Sequence, residues 1–376
     1  MQQLYPAATS HAHLLKSTTV RDLISDKKKL VEVPYTASLA HTLNALVANN
    51  VVAVPVAAPP GQWIGAGGSV ILESDKSTGA VRKHYIGIVT MLDILLHIAD
   101  SGSDESGAPT SDLETLMGVP VSSIIGHCIE GLSLWTINPN TSLLDCMEVF
   151  SKGIHRALIP IESLVHNMVG VELTESSPGY RMLTQMDVIS FLKEHEVDLA
   201  DILTHSVGYL GAVTETVFAV DNRTKVIDAI KCMRNAALSA VPIVLASEAD
   251  GAEHKDLING RGRKLIGTFS ATDLRGCPIT QLQSWLSLDV MEFKERVATG
   301  PRVESGGDAT GLSGSSARIL ITCTFVSSLA EVITKAVEGH VHRVWVVDSQ
   351  GLLTGLITLT DILRVIRVML IGATES

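Results

Sequence analysis

The sequence predicts an α/β (α+β) protein built from four copies of one strand–helix unit. Composition, a phrase that recurs four times, and matching segments upstream of each phrase all lead there. Hydrophobic residues make up 46% of the 376 and aromatics only 4%. A core for so long a chain must then come from Val, Ile, Leu and Ala, the residues of short buried strands packed by helices. The phrase is an apolar strand, Gly or a small residue, Thr or Ser, two residues, and Asp. It reads GIVTMLDILL from Gly87, MLTQMDVISFL from Met182, GTFSATDLRG from Gly267 and GLITLTDILRVI from Gly355. Its aspartates, Asp93, Asp187, Asp273 and Asp361, lie 94, 86 and 88 residues apart. Self-similarity at so even a spacing is the mark of a repeat architecture.

Each repeat opens with a strand, a turn and a helix start. These read VEVPYTASLAHTLNAL from Val31, WTINPNTSLLDCMEVF from Trp135, VFAVDNRTKVIDAIKCM from Val217 and ITCTFVSSLAEVITKAV from Ile321. Apolar residues then recur at helical spacing, as Leu39, Leu43 and Leu46 do, or Leu143, Met147 and Phe150. A short strand follows, often with proline: VVAVPVAA from Val51, HRALIPIE from His155, SAVPIVLA from Ser239 and HRVWVVDS from His342. With the recurrent phrase, the unit is β–α–β–β–α. Loops rich in Gly, Pro, Ser and charge are predicted at 57–84, 101–112, 246–263 and 299–317. A looser stretch near 196–212 is expected to separate repeats 1 and 2 from repeats 3 and 4. The repeats are placed at 18–98, 119–195, 212–279 and 316–372, in halves of about 18–200 and 205–372.

Twenty-nine basic residues against 40 acidic give a net charge of −11. Such a surface repels phosphate backbones, so no nucleic-acid partner and no anionic membrane is expected. Any phosphate site must be local, a few cations inside a cleft. Cys128, Cys146, Cys232, Cys277 and Cys323 show no C-x-x-C spacing and are predicted to be reduced core thiols rather than zinc ligands or disulfides. The first 20 residues lack the basic start and apolar stretch of a signal peptide. No apolar run reaches the ~18 residues of a membrane span, so a soluble, intracellular protein is expected. Neither Gly65-Ala66-Gly67-Gly68 nor the run from Gly306 to Gly314 continues into the Lys of a phosphate loop. His195, Glu196 and His205 do not make a zinc-protease spacing, and no nucleophile–base set or metal site is assembled.

Thr90-x-x-Asp93, Thr184-x-x-Asp187, Ser270-x-x-Asp273 and Thr358-x-x-Asp361 each have the chemistry of a helix start. The hydroxyl caps the first turn, and the carboxylate at the third position satisfies an orphan amide and complements the helix dipole. A carboxylate fixed there can also accept hydrogen bonds from ribose hydroxyls, as acidic residues do in dinucleotide folds. A second constellation is His155-Arg156 and His342-Arg343, the same dipeptide opening equivalent strands of repeats 2 and 4. Arg offers a planar fork to phosphate oxygens, and His adds a donor of adjustable charge.

From about Thr18 to Met369 these features resemble four CBS (cystathionine β-synthase) motifs in tandem. Paired CBS motifs form Bateman domains. Four in one chain resemble the gamma regulatory subunit of AMP-activated and SNF-related protein kinases, most closely the plant SNF4-like gamma subunits. The resemblance implies two Bateman domains in a pseudo-symmetric disk and a non-enzymatic role. It implies kinase alpha-type and beta-type subunits as partners, a cytoplasmic and nuclear location, and AMP, ADP or ATP as ligand with no further cofactor. The short stretch before Thr18 implies no fused carbohydrate-binding module.

By the same resemblance, Asp93, Asp187, Asp273 and Asp361 hold ribose, beside Thr90, Thr184, Ser270 and Thr358. His155, Arg156, His342 and Arg343 hold phosphates near the centre of the disk. Many gamma subunits lack the second of these aspartates and leave that site empty, a departure that Asp187 makes here. Repeat 1 carries Val52-Ala53 where many carry an arginine, whereas Ser239 in repeat 3 fits the pattern. Losing one such arginine costs about 1.5–3 kcal/mol, roughly 10- to 150-fold in affinity at that site. A scaffold with degenerate nucleotide sites, and a stand-alone sensor of another adenosyl ligand, remain alternatives to a nucleotide-binding kinase subunit.

Overall fold

The structure is a computed structural model that describes residues 13–58, 84–101, 113–128, 131, 134–161, 179–247, 254–273, 281–299 and 320–372. The two glycine runs, and most of three predicted loops, lie outside the described residues.

Repeat 1 follows a short helix, α1 (Val20–Ile24), and contains β1 (Val33–Pro34), α2 (Leu39–Ala48), β2 (Ala53–Ala57), β3 (Tyr85–Thr90) and α3 (Met91–Ser101). After α4 (Leu113–Gly118) and a 3-10 turn (Val121–Ile124), repeat 2 contains α5 (Leu143–Phe150), β4 (Arg156–Ile161), β5 (Gly179–Thr184) and α6 (Gln185–Glu194). A further turn, α7 (Ala200–Leu203), leads to repeat 3, with β6 (Phe218–Asp221), α8 (Val226–Asn235), β7 (Ala240–Val244), β8 (Ile258–Asn259) and β9 (Leu265–Ser270). Then come α9 (Leu282–Trp285) and α10 (Val290–Thr299). Repeat 4 contains β10 (Thr322–Cys323), α11 (Leu329–Glu338), β11 (Arg343–Val347), β12 (Leu353–Thr358) and α12 (Leu359–Gly372).

Local chemistry accounts for the elements. The first helix of repeats 1, 2 and 4 starts at a serine whose hydroxyl accepts the amide three residues on: Ser38 from His41, Ser142 from Asp145, Ser328 from Glu331. Repeat 3 has Lys225 at this position and no side-chain cap. All four helices stop at a left-handed residue, Asn50, Gly153, Ala237 or His340. In repeats 1, 3 and 4 the amide after it closes a Schellman-type bond: Val51 to Leu46 O, Leu238 to Met233 O, and Val341 to Ala336 O. In three repeats the first strand lies parallel to the second and the second antiparallel to the third. In repeat 2 the first strand is reduced to a parallel bridge, Thr136 to Leu158.

The repeats interlock by a reciprocal exchange. The segment before each repeat crosses to its neighbour and forms a two-bond bridge at the helix start there. Thr19 bridges Ser142, with Val20 N donating to Thr141 O and Leu143 N to Thr18 O; Pro120 bridges Ser38, Ser206 bridges Ser328, and Asp289 bridges Lys225 in the same geometry. Repeats 1 and 2 therefore hold each other's leading segments, and so do repeats 3 and 4. Helix faces pair differently. Helices α5 and α6 pack on α12 and α11, and α3 packs on α8. One core thus joins repeats 2 and 4 through Phe150, Leu192, Ile333 and Ile366, and a second joins repeats 1 and 3 through Leu46, Ile94, Ile230 and Phe293.

Two expectations change. Residues 196–212 are not a loose separator, because Leu199, Leu203, Val207 and Ala212 are fully buried in the core shared with repeat 4. It is the crossing segment of repeat 3 and hides its apolar residues there. The predicted loop 246–263 contains β8, antiparallel to β6 with Phe218 opposite Asn259. Cys146 and Cys323 are buried as predicted, and burial pushes both thiols up to about 12. Cys128 and Cys232 are half-buried, and Cys277 lies outside the described residues. No described helix is long and apolar enough to cross a membrane.

Two outcomes follow. Ala237, at φ 53°, bears a left-handed penalty that glycine escapes, so Ala237→Gly should raise stability by about 0.5–1 kcal/mol, measured as the urea midpoint. Maleimide treatment of the native chain at pH 8 should spare Cys146 and Cys323; their modification before unfolding would contradict their burial.

Candidate functional site

The four Thr/Ser-x-x-Asp motifs follow the last strand of each repeat; in repeats 1, 2 and 4 they start its last helix, whereas in repeat 3 the predicted helix is not found among the described residues, where Ala271–Asp273 form a turn. Asp93 Oδ2 accepts Thr90 N at 2.8 Å and Thr90 Oγ1 at 2.6 Å. The corresponding distances are 2.7 and 2.7 Å for Asp187 with Thr184, 2.8 and 3.2 Å for Asp273 with Ser270, and 3.0 and 2.6 Å for Asp361 with Thr358. One oxygen of every motif carboxylate is thus committed to folding, and what the carboxylate can offer a ligand depends on its other contacts.

Those contacts differ between repeats. Asp93 is fully buried, and its Oδ1 accepts the amide of Cys128 at 2.8 Å. Burial raises its pKa, outweighing the bonds from Thr90 and Cys128, which lower it. Asp187 is partly exposed, and Lys27 Nζ lies 2.5 Å from its Oδ2 and 2.7 Å from Met182 O. Asp273 is buried, with Lys294 Nζ 4.0 Å away. Asp361 Oδ1 accepts Arg364 at 3.0 Å, an ion pair whose arginine side chain is 47% exposed.

The strand facing each motif is held in one register. Thr90 pairs with Ala53, Thr184 with Arg156, Ser270 with Ala240, and Thr358 with Arg343. The residue before each of these accepts the amide that follows the motif Thr or Ser. The acceptors are Val52, His155, Ser239 and His342, and the donors Met91, Gln185, Ala271 and Leu359. The His-Arg pairs of repeats 2 and 4 thus occupy the same structural position as Val52-Ala53 and Ser239-Ala240. Arg343 reaches across to repeat 3, where it donates to Ser239 Oγ at 2.8 Å and to Ala240 O. Burial lowers its pKa to about 10, and its Nε is buried without a hydrogen-bond partner. The structure therefore unites Ser239 with Arg343 across the repeat 3–repeat 4 boundary. Repeats 2 and 4 meet beside their motifs through Gln185 Nε2, which donates to Thr360 Oγ1 at 2.8 Å.

Lys27, Lys294 and the Cys128 amide touch or approach the motif carboxylates from outside the recurrent phrase, and Arg364 does so from within its fourth copy. The only sequence trace of Lys27 is a lysine run, Lys27-Lys28-Lys29, after a capped helix start.

Four interlocked units of this build, each with a Thr/Ser–Asp bond pair after its last strand, define a tandem CBS-domain protein, and residues 317–368 match the CBS domain family. The chain is 54% identical over 361 residues to the SNF1-related protein kinase regulatory subunit gamma-like PV42a of Arabidopsis thaliana, covering 95% of this chain and 96% of that protein. It belongs to that gamma-like family. The 5'-AMP-activated protein kinase subunit gamma of Saccharomyces cerevisiae is a more distant relative, 24% identical over 97% of this chain and 94% of its own. The crystal structure of protein MJ1225 from Methanocaldococcus jannaschii, described as an archaeal homologue of that gamma subunit, shares the fold. Its TM-score is 0.58 at 18% identity, over 92% of this chain and 99% of MJ1225.

The raised pKa of Asp93 fixes a pH trend. A carboxyl that holds its proton more tightly folded than unfolded contributes stability below the unfolded value, near 3.8, and loses it as pH rises through the folded value. Wild type should therefore lose stability relative to Asp93→Asn as pH is raised from 3.8, read from urea midpoints at stepped pH. A constant difference would contradict this assignment.

Proposed function

We propose that this chain is the non-catalytic regulatory subunit of a SNF-related Ser/Thr protein kinase complex, holding alpha-type and beta-type subunits and binding adenine nucleotides between paired CBS repeats. The observation that carries the reading is the identity to a gamma-like regulatory subunit along nearly the whole chain. Two of its Arabidopsis thaliana relatives are named as regulatory subunits, which supports the non-catalytic role.

The geometry favours the pair formed by repeats 3 and 4 for nucleotide binding. Asp361 is tied on its Oδ1 side only to a half-exposed arginine, a contact of small energy that a ligand can displace. A ribose hydroxyl then takes that oxygen. Across the same boundary, the buried and incompletely bonded Arg343 is the donor suited to a phosphate, with His342 next to it in the chain. AMP and ATP differ in charge, so they can favour different arrangements of the complex, which is what regulation requires.

A scaffold role is the second reading, favoured in repeat 1 by the saturated Asp93 and the apolar Val52-Ala53 facing it. Calorimetric titration with AMP, ADP and ATP separates the two, beside kinase assays of the reconstituted complex. Nucleotide binding should weaken roughly 10- to 150-fold in Asp361→Asn, the scale of a charged hydrogen bond, and be lost in a His155→Ala/His342→Ala double variant. Kinase activity indifferent to AMP and ATP, with no binding by folded chain, would establish the scaffold.

A further inference from the structure

After its exchange bridge, each crossing segment runs back over the last strand of the partner repeat. This return explains the glycine of the recurrent phrase. A Cβ on Gly87 would meet Ile125 at 2.5 Å, and one on Gly355 would meet Val213 at 2.5 Å and Thr214 O at 2.9 Å. Repeat 2 alone has a side chain at this position, Arg181, and its Nε donates to Lys27 O at 2.8 Å. Arg181 thereby anchors the backbone of the returning segment where Lys27 faces Asp187.

Counting from the bridges shows how the two pairs differ. Eight residues beyond Thr19, Pro120, Ser206 and Asp289 stand Lys27, Cys128, Thr214 and Val297. In the first pair both equivalents touch the partner's motif carboxylate: Cys128 N lies 2.8 Å from Oδ1 of Asp93, and Lys27 Nζ lies 2.5 Å from Oδ2 of Asp187, the oxygen that also accepts Thr184. In the second pair Thr214 gives its amide to Leu356 O at 2.9 Å instead, and Val297 is a partly buried apolar side chain without a side-chain donor. Lys294, on the same helix as Val297, donates to Thr268 O and stays 4.0 Å from Asp273.

We propose that the first pair of repeats occupies its own ribose carboxylates, with Lys27 as the built-in occupant at Asp187, so that nucleotide binding is confined to repeats 3 and 4. The proposal rests on the nucleotide reading above and assigns Lys27 a specificity role. The Cys128 contact comes from the backbone, so no side-chain change removes it. Lys27 can be removed alone, and Lys27→Met keeps the aliphatic stem while deleting the ammonium.

The test is the stoichiometry of AMP binding to the full chain by calorimetry, with far-UV circular dichroism and melting confirming that each variant is folded. Asp187→Asn in the wild-type background should leave the stoichiometry unchanged, while Asp361→Asn lowers it by one. Lys27→Met should add one AMP per chain, and Asp187→Asn in that background should remove it again. The proposal is overturned if Asp187→Asn alone lowers the wild-type stoichiometry. It is also overturned if folded Lys27→Met gains no site while Asp361→Asn still removes one. Binding by Lys27→Met but not by wild type would uphold the self-occupied site and reject binding in the second pair. Absence of binding in both would overturn the nucleotide reading and this proposal together.

Discussion

The reciprocal backbone exchange at the helix starts is the constraint from which the rest of the structure follows. A sheet of two to four strands with one or two described helices buries too little surface to stand alone. At each of the four crossings, two backbone hydrogen bonds tie a leading segment to the neighbouring repeat, beside the capping serine in three cases. The bridge sits where helix amides need partners in any case, so it joins two repeats and starts a helix in one arrangement. The separation into interlocked pairs, 1 with 2 and 3 with 4, is a consequence.

The returning segments then set the surroundings of the motif aspartates. Every motif carboxylate spends one oxygen on its own Thr or Ser, closing a helix cap in repeats 1, 2 and 4, a role independent of any ligand. The returning segment decides much of the rest. It brings an amide to Asp93 and an ammonium to Asp187, and leaves Asp361 to an exposed arginine from its own helix. One four-fold motif thus gives carboxylates of very different availability.

Contacts close around all four repeats. Strand edges join repeat 3 to repeat 4, where Leu353 N donates to Arg263 O, Gly262 N donates to Leu353 O, and Trp345 donates to Thr268 at 2.7 Å. Tyr85 and Tyr180 meet edge to face between repeats 1 and 2. Helix faces join 2 to 4 and 1 to 3, reinforced by Arg367–Glu148 at 2.8 Å and by Arg234 with Asp100. The Gln185–Thr360 bond links the starts of two motif helices from different pairs.

The sequence by itself determined the repeat, the strand–helix–strand–strand core of the units and the capping chemistry of the motifs, but not β8 or the turn that follows Ser270. What it determined depends on contacts between residues about three or four positions apart, where spacing alone places the partners. It misled at residues 196–212, whose buried apolar positions face a repeat far along the chain. Tertiary structure decided which carboxylates are taken and which cations are brought to them. Lys27 meets Asp187 across 160 positions and Arg343 meets Ser239 across 104. No local periodicity encodes such pairings, because they depend on how the crossing segments return over their partners.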